Sequence, residues 1–290
     1  MTEIRAHRFR RSIAQLSTLV FSSVSLCGLP MLASAAESGG NWLDNWWQQP
    51  WSGDARVYGW LVDAPAGIRV NGQPAADLPE SLDTVLDSAN ALFMGEFAFQ
   101  KGRIGLFADV IYYDGTDKTS RTGPLGEQRK VEVKERVWLV EYGAGFELVN
   151  WNLGERDNSP TLTLSPYAGF RYFHDPIRVT VPPGPVFPGV NVKRTVEINT
   201  PLVGAKALLT LSDRWTLAAG GDYGVWDDGE VDETWQYIGT LNYHFAIKGV
   251  STEVFVGYRK LKLDLENDAG EDLEIDVELK GPVIGFGVGW

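Results

Sequence analysis

The chain has 290 residues, 44% of them hydrophobic and 22% charged, with a formal net charge of −12. That size and balance fit one large folded domain or two small ones. No stretch is basic enough to hold a nucleic acid, which excludes that class of partner.

Residues 1–35 read as a cleaved secretory signal. Arg5, Arg8, Arg10 and Arg11 form a basic start, the apolar stretch LSTLVFSSVSLCGLPML follows, and Ala33–Ala35 supply small residues for cleavage. A membrane anchor fits less well, because serines, Gly28 and Pro30 interrupt the run. A lipoprotein site at Cys27 also fits less well, because Leu26 is bulky there. Cleavage removes Cys27, the one cysteine, and with it any disulfide, thiol nucleophile or cysteine-based metal site. Residues 36–54 form a tail rich in tryptophan (Trp42, Trp46, Trp47, Trp51), either packed irregularly or resting at a membrane interface. After the signal no apolar run of about 20 residues remains, so a membrane could be crossed only by a closed β-barrel.

From Ala55 onward, alternating segments separated by turn signals predict ten strands, near 55–70, 91–101, 103–115, 130–149, 161–179, 193–211, 215–227, 233–246, 252–267 and 273–290. Eight or twelve are also compatible, because Pro65 and Gly67 interrupt the first. Short connections (Lys101-Gly102, 150–160, 212–214, 247–251) alternate with longer ones (71–90, 116–129, 180–192, 228–232, 268–272). Leu82, Val85 and Leu86 predict a helical turn or two in the first long loop. The Pro/Gly-rich VPPGPVFPGVN predicts a loop that stays out of the ladder.

The alternation has a consistent polarity. In WLVEYGAGFELV, Trp138, Val140, Tyr142, Ala144, Phe146 and Leu148 oppose Glu141, Gly143, Gly145 and Glu147. The chain ends on GPVIGFGVGW, bulky on one side and mostly glycine on the other. A soluble barrel would bury the apolar face, whereas a transmembrane one would turn it to lipid. Three features favour the membrane. Aromatics cluster at the ends of the apolar face, with Tyr112, Trp138, Tyr172, Trp215, Trp235 and Trp290 as expected interface anchors. The polar face is rich in glycine. Opposed charges sit at mid-strand on that face: Glu96, Asp109, Glu141 and Asp222 against Arg103, Arg171, Lys206 and Arg259, a set that a narrow lumen can hold as a paired network.

The stretches ALFMGEFAFQKGRIGLFADVIYYD, SPYAGFRYF, LSDRWTLAAGGDYGVW, VFVGYRKLKLD and LKGPVIGFGVGW cover much of residues 55–290. In them the chain resembles small Gram-negative outer-membrane β-barrels, most of all a poorly characterised proteobacterial family. The resemblance implies a closed antiparallel transmembrane barrel, exported to the outer membrane, with no agreed biochemistry. Trp290 resembles the terminal aromatic read by the barrel assembly machinery, an expected partner of the last strand, although phenylalanine is usual there.

His174 and Asp175, in RYFHDP, are candidate acid–base residues of an outer-membrane hydrolase, or else a rim histidine beside a turn-forming Asp-Pro. His244 reads as a lumen residue. The acidic LDLENDAGEDLEIDVE lacks calcium-loop spacing, so neither a metal nor a cofactor is expected. Lys130, Lys134, Arg136, Lys193, Arg194, Lys260 and Lys262 flank the expected outer ends, where they would meet lipopolysaccharide phosphates. The expected function is that of a monomeric surface barrel, structural or a narrow channel with a largely filled lumen. A lipid- or peptide-hydrolysing barrel is the alternative, and an adhesin or receptor acting through the loops at 71–90, 116–129 and 180–192 is a second.

Overall fold

The computed structural model describes residues 49–62, 64–70, 73–80, 89–122, 128–155, 159–181, 183, 190–226, 231–267 and 273–290. The expected signal, most of the tryptophan-rich tail and the expected helical turn at 81–88 lie outside the described residues. Among these residues the structure is all-β, with thirteen strands: β1 (Ser52–Trp60), β2 (Ala64–Val70), β3 (Gln73–Glu80), β4 (Ala89–Lys101), β5 (Ile104–Thr122), β6 (Gln128–Phe146), β7 (Val149–Asn152), β8 (Thr161–Val181), β9 (Val190–Ser212), β10 (Trp215–Trp226), β11 (Val231–Ile247), β12 (Val250–Asn267) and β13 (Leu273–Gly289).

Ten of them close an antiparallel barrel in the order β1-β4-β5-β6-β8-β9-β10-β11-β12-β13, with β13 returning to β1. The seam runs to the end of the chain, where Gly53 and Trp290 exchange both backbone hydrogen bonds at 2.9 Å. Of the other three, β2 and β7 extend barrel strands. β1 and β2 both lie along β13 and are separated by a break after Trp60, while β3 pairs with β2. β7 continues the line of β6 against β8.

Three expectations are corrected here. The interruption of the first strand falls after Trp60 rather than at Pro65 or Gly67, which pair normally within β2. The segment expected as a loop at 71–90 contains β3, and the loops at 116–129 and 180–192 are shorter than expected because β5, β6, β8 and β9 run on as paired hairpin arms. β1 begins at Ser52, inside the segment expected as tail.

The turns at one end are tight. Lys248 (φ 51°) and Gly249 (φ 85°) both take positive φ, which is the requirement of a two-residue hairpin turn whose twist matches its strands.

Along β6 and β12 the polarity of the alternation reverses. On β12, Val254, Val256 and Tyr258 point outward and Glu253, Gly257 and Arg259 inward. From Lys260 on, Lys260, Lys262 and Asp264 point outward and Leu261 and Leu263 inward. On β6, Trp138 and Tyr142 face out over Glu141 in the lower half, and Lys134 and Arg136 face out over Val133 and Val137 in the upper half. The barrel is therefore two stacked parts. The lower one is apolar outside and polar inside. The upper one has a polar outside and an apolar core of the kind a soluble sheet buries.

Candidate functional site

The lower lumen holds a charged network contributed by strands around the whole barrel. At its centre Arg171 of β8 donates from Nε to Glu141 Oε1 (2.5 Å), from Nη2 to Asp222 Oδ1 (2.7 Å), and from Nη1 to the Thr234 hydroxyl. Gln236 Nε2 donates to Glu141 Oε2 at 2.9 Å and to Asp222, and its Oε1 accepts from Arg259 Nη2 at 2.5 Å. Arg259 reaches Asp109 at 3.7 Å, and Asp109 accepts from the Tyr58 hydroxyl at 2.9 Å. Tyr167 donates to Asp222 at 2.9 Å. Each arginine faces at least two acceptors, the arrangement that makes buried charges tolerable.

A second cluster sits nearer the tight turns. Arg56 Nε meets Glu253 at 2.5 Å, Asp54 at 3.7 Å, and its Nη1 meets Glu96 at 3.9 Å. His244 bridges Glu253 (3.6 Å) and the Thr216 hydroxyl (3.1 Å), and Lys206 is buried on the same inner wall.

The structure places seven of the eight expected lumen charges inside the barrel: Glu96, Asp109, Glu141, Arg171, Lys206, Asp222 and Arg259 are all buried. Arg103 is the correction. It stands exposed in the turn entering β5, where its carbonyl accepts from the Glu147 backbone N–H at 2.8 Å. The alternation continued past the strand end carries it to the inner face, but the chain has already turned there. Sequence reading missed Arg56, Tyr58, Asp54, Glu253 and Gln236. Arg56 and Tyr58 were legible from the same alternation in ARVYGW.

Around the middle of the barrel each of the ten strands presents a buried inward residue, including Tyr58, Glu96, Thr200 and Val283 beside the network itself. Asp109 and Arg259 are 0% exposed. Above them lies an apolar cap of Trp60, Ile111, Val137, Leu139, Phe173, Leu261 and Leu279. Trp60 joins the two layers: its Nε1 donates to the Gly281 carbonyl at 3.1 Å, and Arg259 lies 5.0 Å over its ring. Gly281 is required where the chain after Trp60 tucks inward, since a Cβ there would collide with the Leu61 carbonyl. The apolar cap corrects the expectation of an inward face that is polar throughout.

The expected anchors all lie on the outer surface. Tyr112 packs on Trp138 (4.5 Å between ring centres), Trp235 stacks on Tyr237 (6.0 Å), and Tyr172 stacks on His174 (6.2 Å), which together mark the upper rim. Trp215 packs on Tyr243 (4.8 Å) and Trp290 on Phe99 (6.2 Å) at the lower rim. Exposed Trp51 and Trp151 join the lower rim.

His174 and Asp175 point to opposite faces of β8. His174 lies outside, 3.5 Å from Glu197, and Asp175 is buried inside. Strand neighbours diverge in this way, so the two cannot act as one acid–base pair. Among the described residues no group of metal-ligating side chains is assembled.

The chain matches no protein-family model and no curated protein. Among solved structures, it is similar to the translocator domain of autotransporter NalP from Neisseria meningitidis (10% identity, covering 99% of this chain and 97% of that one, TM-score 0.30). It is also similar to a mutant of the monoaromatic hydrocarbon channel TodX (8%, 83% and 91%, TM-score 0.25) and to the Ralstonia pickettii toluene transporter TbuX (7%, 83% and 89%, TM-score 0.26). Likenesses this distant carry no argument about activity; the barrel stands on its own strand pairing.

Proposed function

We propose that the chain is a β-barrel of a bacterial outer membrane that is closed to solutes, acting as a non-catalytic surface element that holds a packed outer segment above the lipid. The observation that carries this reading is the reversal of polarity along the strands. Below the upper aromatic rim the outer wall is a continuous apolar belt: Val203 is 65% exposed, and Val57, Phe97, Leu217, Leu241, Val254 and Ile284 are exposed with it. On β6 the belt runs from Trp138 to Phe146, the nine or so residues that a tilted strand needs to span a bilayer. Exposed apolar surface on this scale needs a partner other than water, and the two aromatic rims fit the girdles of a barrel seated in lipid.

Closure of the lumen follows from the network and cap together. A diffusion pore needs a hydrated path, whereas here the inner wall is buried around the full circumference, first by paired charges and then by hydrocarbon. One chain completes the ring, which supports a monomer. The seating is tested by single cysteines at Val203 and Leu202, labelled with a polarity-sensitive dye after refolding into vesicles that contain brominated lipid. Quenching at 203 and none at 202 is expected. Equal accessibility of both to a water-soluble quencher would overturn the membrane reading.

A further inference from the structure

Above the upper rim, β5–β6 and β8–β9 run on as two hairpin arms. Among the described residues, β5 above Gly115 pairs only with β6, and β9 above Leu202 pairs only with β8. The seam between the arms is interrupted. Register joins Trp138 to His174 at the rim and Lys134 to Arg178 above it, in step with each other, but no rung joins 135–137 to 175–177. Pro176, which has no N–H to give, stands in that gap. Above it the arms are joined by the rungs Lys134–Arg178, Val133–Val179 and Glu132–Thr180. Glu135 and Asp175 face inward from the two sides of the gap, and both are buried. Asp175 accepts a hydrogen bond from Glu135, while its Oδ1 has no partner. Their same-face neighbours along the strands are apolar, Val133 and Val137 on β6 and Phe173 on β8, and the facing wall adds Leu263 and Leu279 to the same core. β5 sets Gly115 opposite Glu135, with the Tyr113 hydroxyl folded over it, and Asp117 opposite Val133. β9 sets Val196 opposite Asp175 and Arg194 opposite Ile177.

We propose that Glu135 and Asp175 form a proton-operated latch across the broken seam, shut while both carboxyls keep their protons and released, with the two arms parting, when Asp175 gives its proton up. The latch goes beyond the closed-barrel reading and rests on the fold above the rim; the charged lumen network lies below the cap and takes no part. An ionised Asp175 is costly among hydrocarbon side chains with one oxygen lacking a donor. The missing rungs let water reach it without breaking a ladder hydrogen bond. Burial holds the Asp175 carboxyl up at about 7 in the shut state. Hydrated in the parted state, it returns to the ordinary value of about 4. The shut state therefore binds the proton more tightly. Its advantage is complete below about pH 4, shrinks as the pH rises, and levels off above about pH 7. The interval from about 4 to about 7 limits the change in the shut-to-parted ratio to roughly a thousandfold.

The test uses the refolded chain in phospholipid vesicles, with nitroxide labels on K134C/R178C in a C27S background. Positions 134 and 178 face each other on the outer surface just above the gap. Continuous-wave spectra are expected to show strong dipolar broadening between the labels at pH 4 and to lose it at pH 8. Adding D175N, which keeps the size of the side chain but cannot ionise, is expected to preserve the broadening at both. A Y142C/F170C pair, opposed on the same two strands below the rim, is expected to stay broadened at both. Broadening at 134 and 178 that is the same at pH 4 and pH 8, a D175N chain that loses it as its parent does, or a lower pair that separates as well would each overturn the proposal. Retention of the compact band on unheated gels confirms that each variant is folded.

Discussion

Replacing Arg171 with alanine tests whether the lumen network is a structural keystone. The guanidinium is 1% exposed and holds Glu141 at 2.5 Å and Asp222 at 2.7 Å, besides the Thr234 hydroxyl. Its removal leaves two carboxylates facing each other in a water-poor interior, with the neutral Gln236 amide on both and the Tyr167 hydroxyl on Asp222 as the remaining donors. Breaking a buried ion pair by deleting one partner costs on the order of 3–5 kcal/mol, and this deletion takes the bound cation from two acids at once, so the loss belongs at the upper end of that range. Urea unfolding in phospholipid vesicles, followed by tryptophan fluorescence, reads it directly. Arg103→Ala is the internal control, since an exposed turn arginine is worth within about 0.5 kcal/mol. The triple variant R171M/E141Q/D222N, which removes the charges together, should recover most of the loss. An R171A barrel within about 1 kcal/mol of wild type would refute the reasoning.

Asp175, inside the upper part and above the aromatic rim, has its carboxyl pushed up to about 7 by burial, with a hydrogen bond from Glu135 pulling weakly the other way. The folded state therefore keeps this proton longer than the unfolded chain does; the stability it supports is intact below about pH 4 and is lost as the pH rises towards 7. Asp175→Asn should stabilise the barrel at pH 8, by at most roughly 4 kcal/mol, and leave it unchanged at pH 3.5; equal effects at both would contradict this. Gly53→Val should impair closure of the seam, because a Cβ there comes within 2.8 Å of the Trp290 ring, whereas Gly59→Val, with nothing within 4 Å, should close normally. The comparison of heated and unheated bands on gels reads both, and a G53V chain that closes as readily as G59V would remove the argument.

The ten-strand order was legible because a strand with one lipid-like face and one polar face repeats with period two, and the turn residues fall at regular places. Seven of the eight lumen charges followed from that period alone. Arg103 did not, because periodicity gives a face but not the point where the strand stops. The apolar cap went unread for a different reason. A single polarity was assigned to each segment, yet in VFVGYRKLKLDLE the apolar set moves from even positions (Val254, Val256, Tyr258) to odd ones (Leu261, Leu263). The signal was present at that switch, and it marks the height at which the surroundings change. The partners within the network, such as Gln236 between Glu141 and Arg259, depend on contacts across the lumen between distant strands, which a period-two pattern does not encode. The terminal GPVIGFGVGW was legible as an outward apolar face, but not that its last residue would pair with Gly53 and lay its ring across it.

The central claim, a lipid-seated barrel shut by its own side chains, is tested most directly by single-channel recording of the refolded chain in a planar bilayer. The predicted result is insertion without steady conductance steps in 1 M KCl. Uniform, long-lived open steps from the wild-type chain would contradict it.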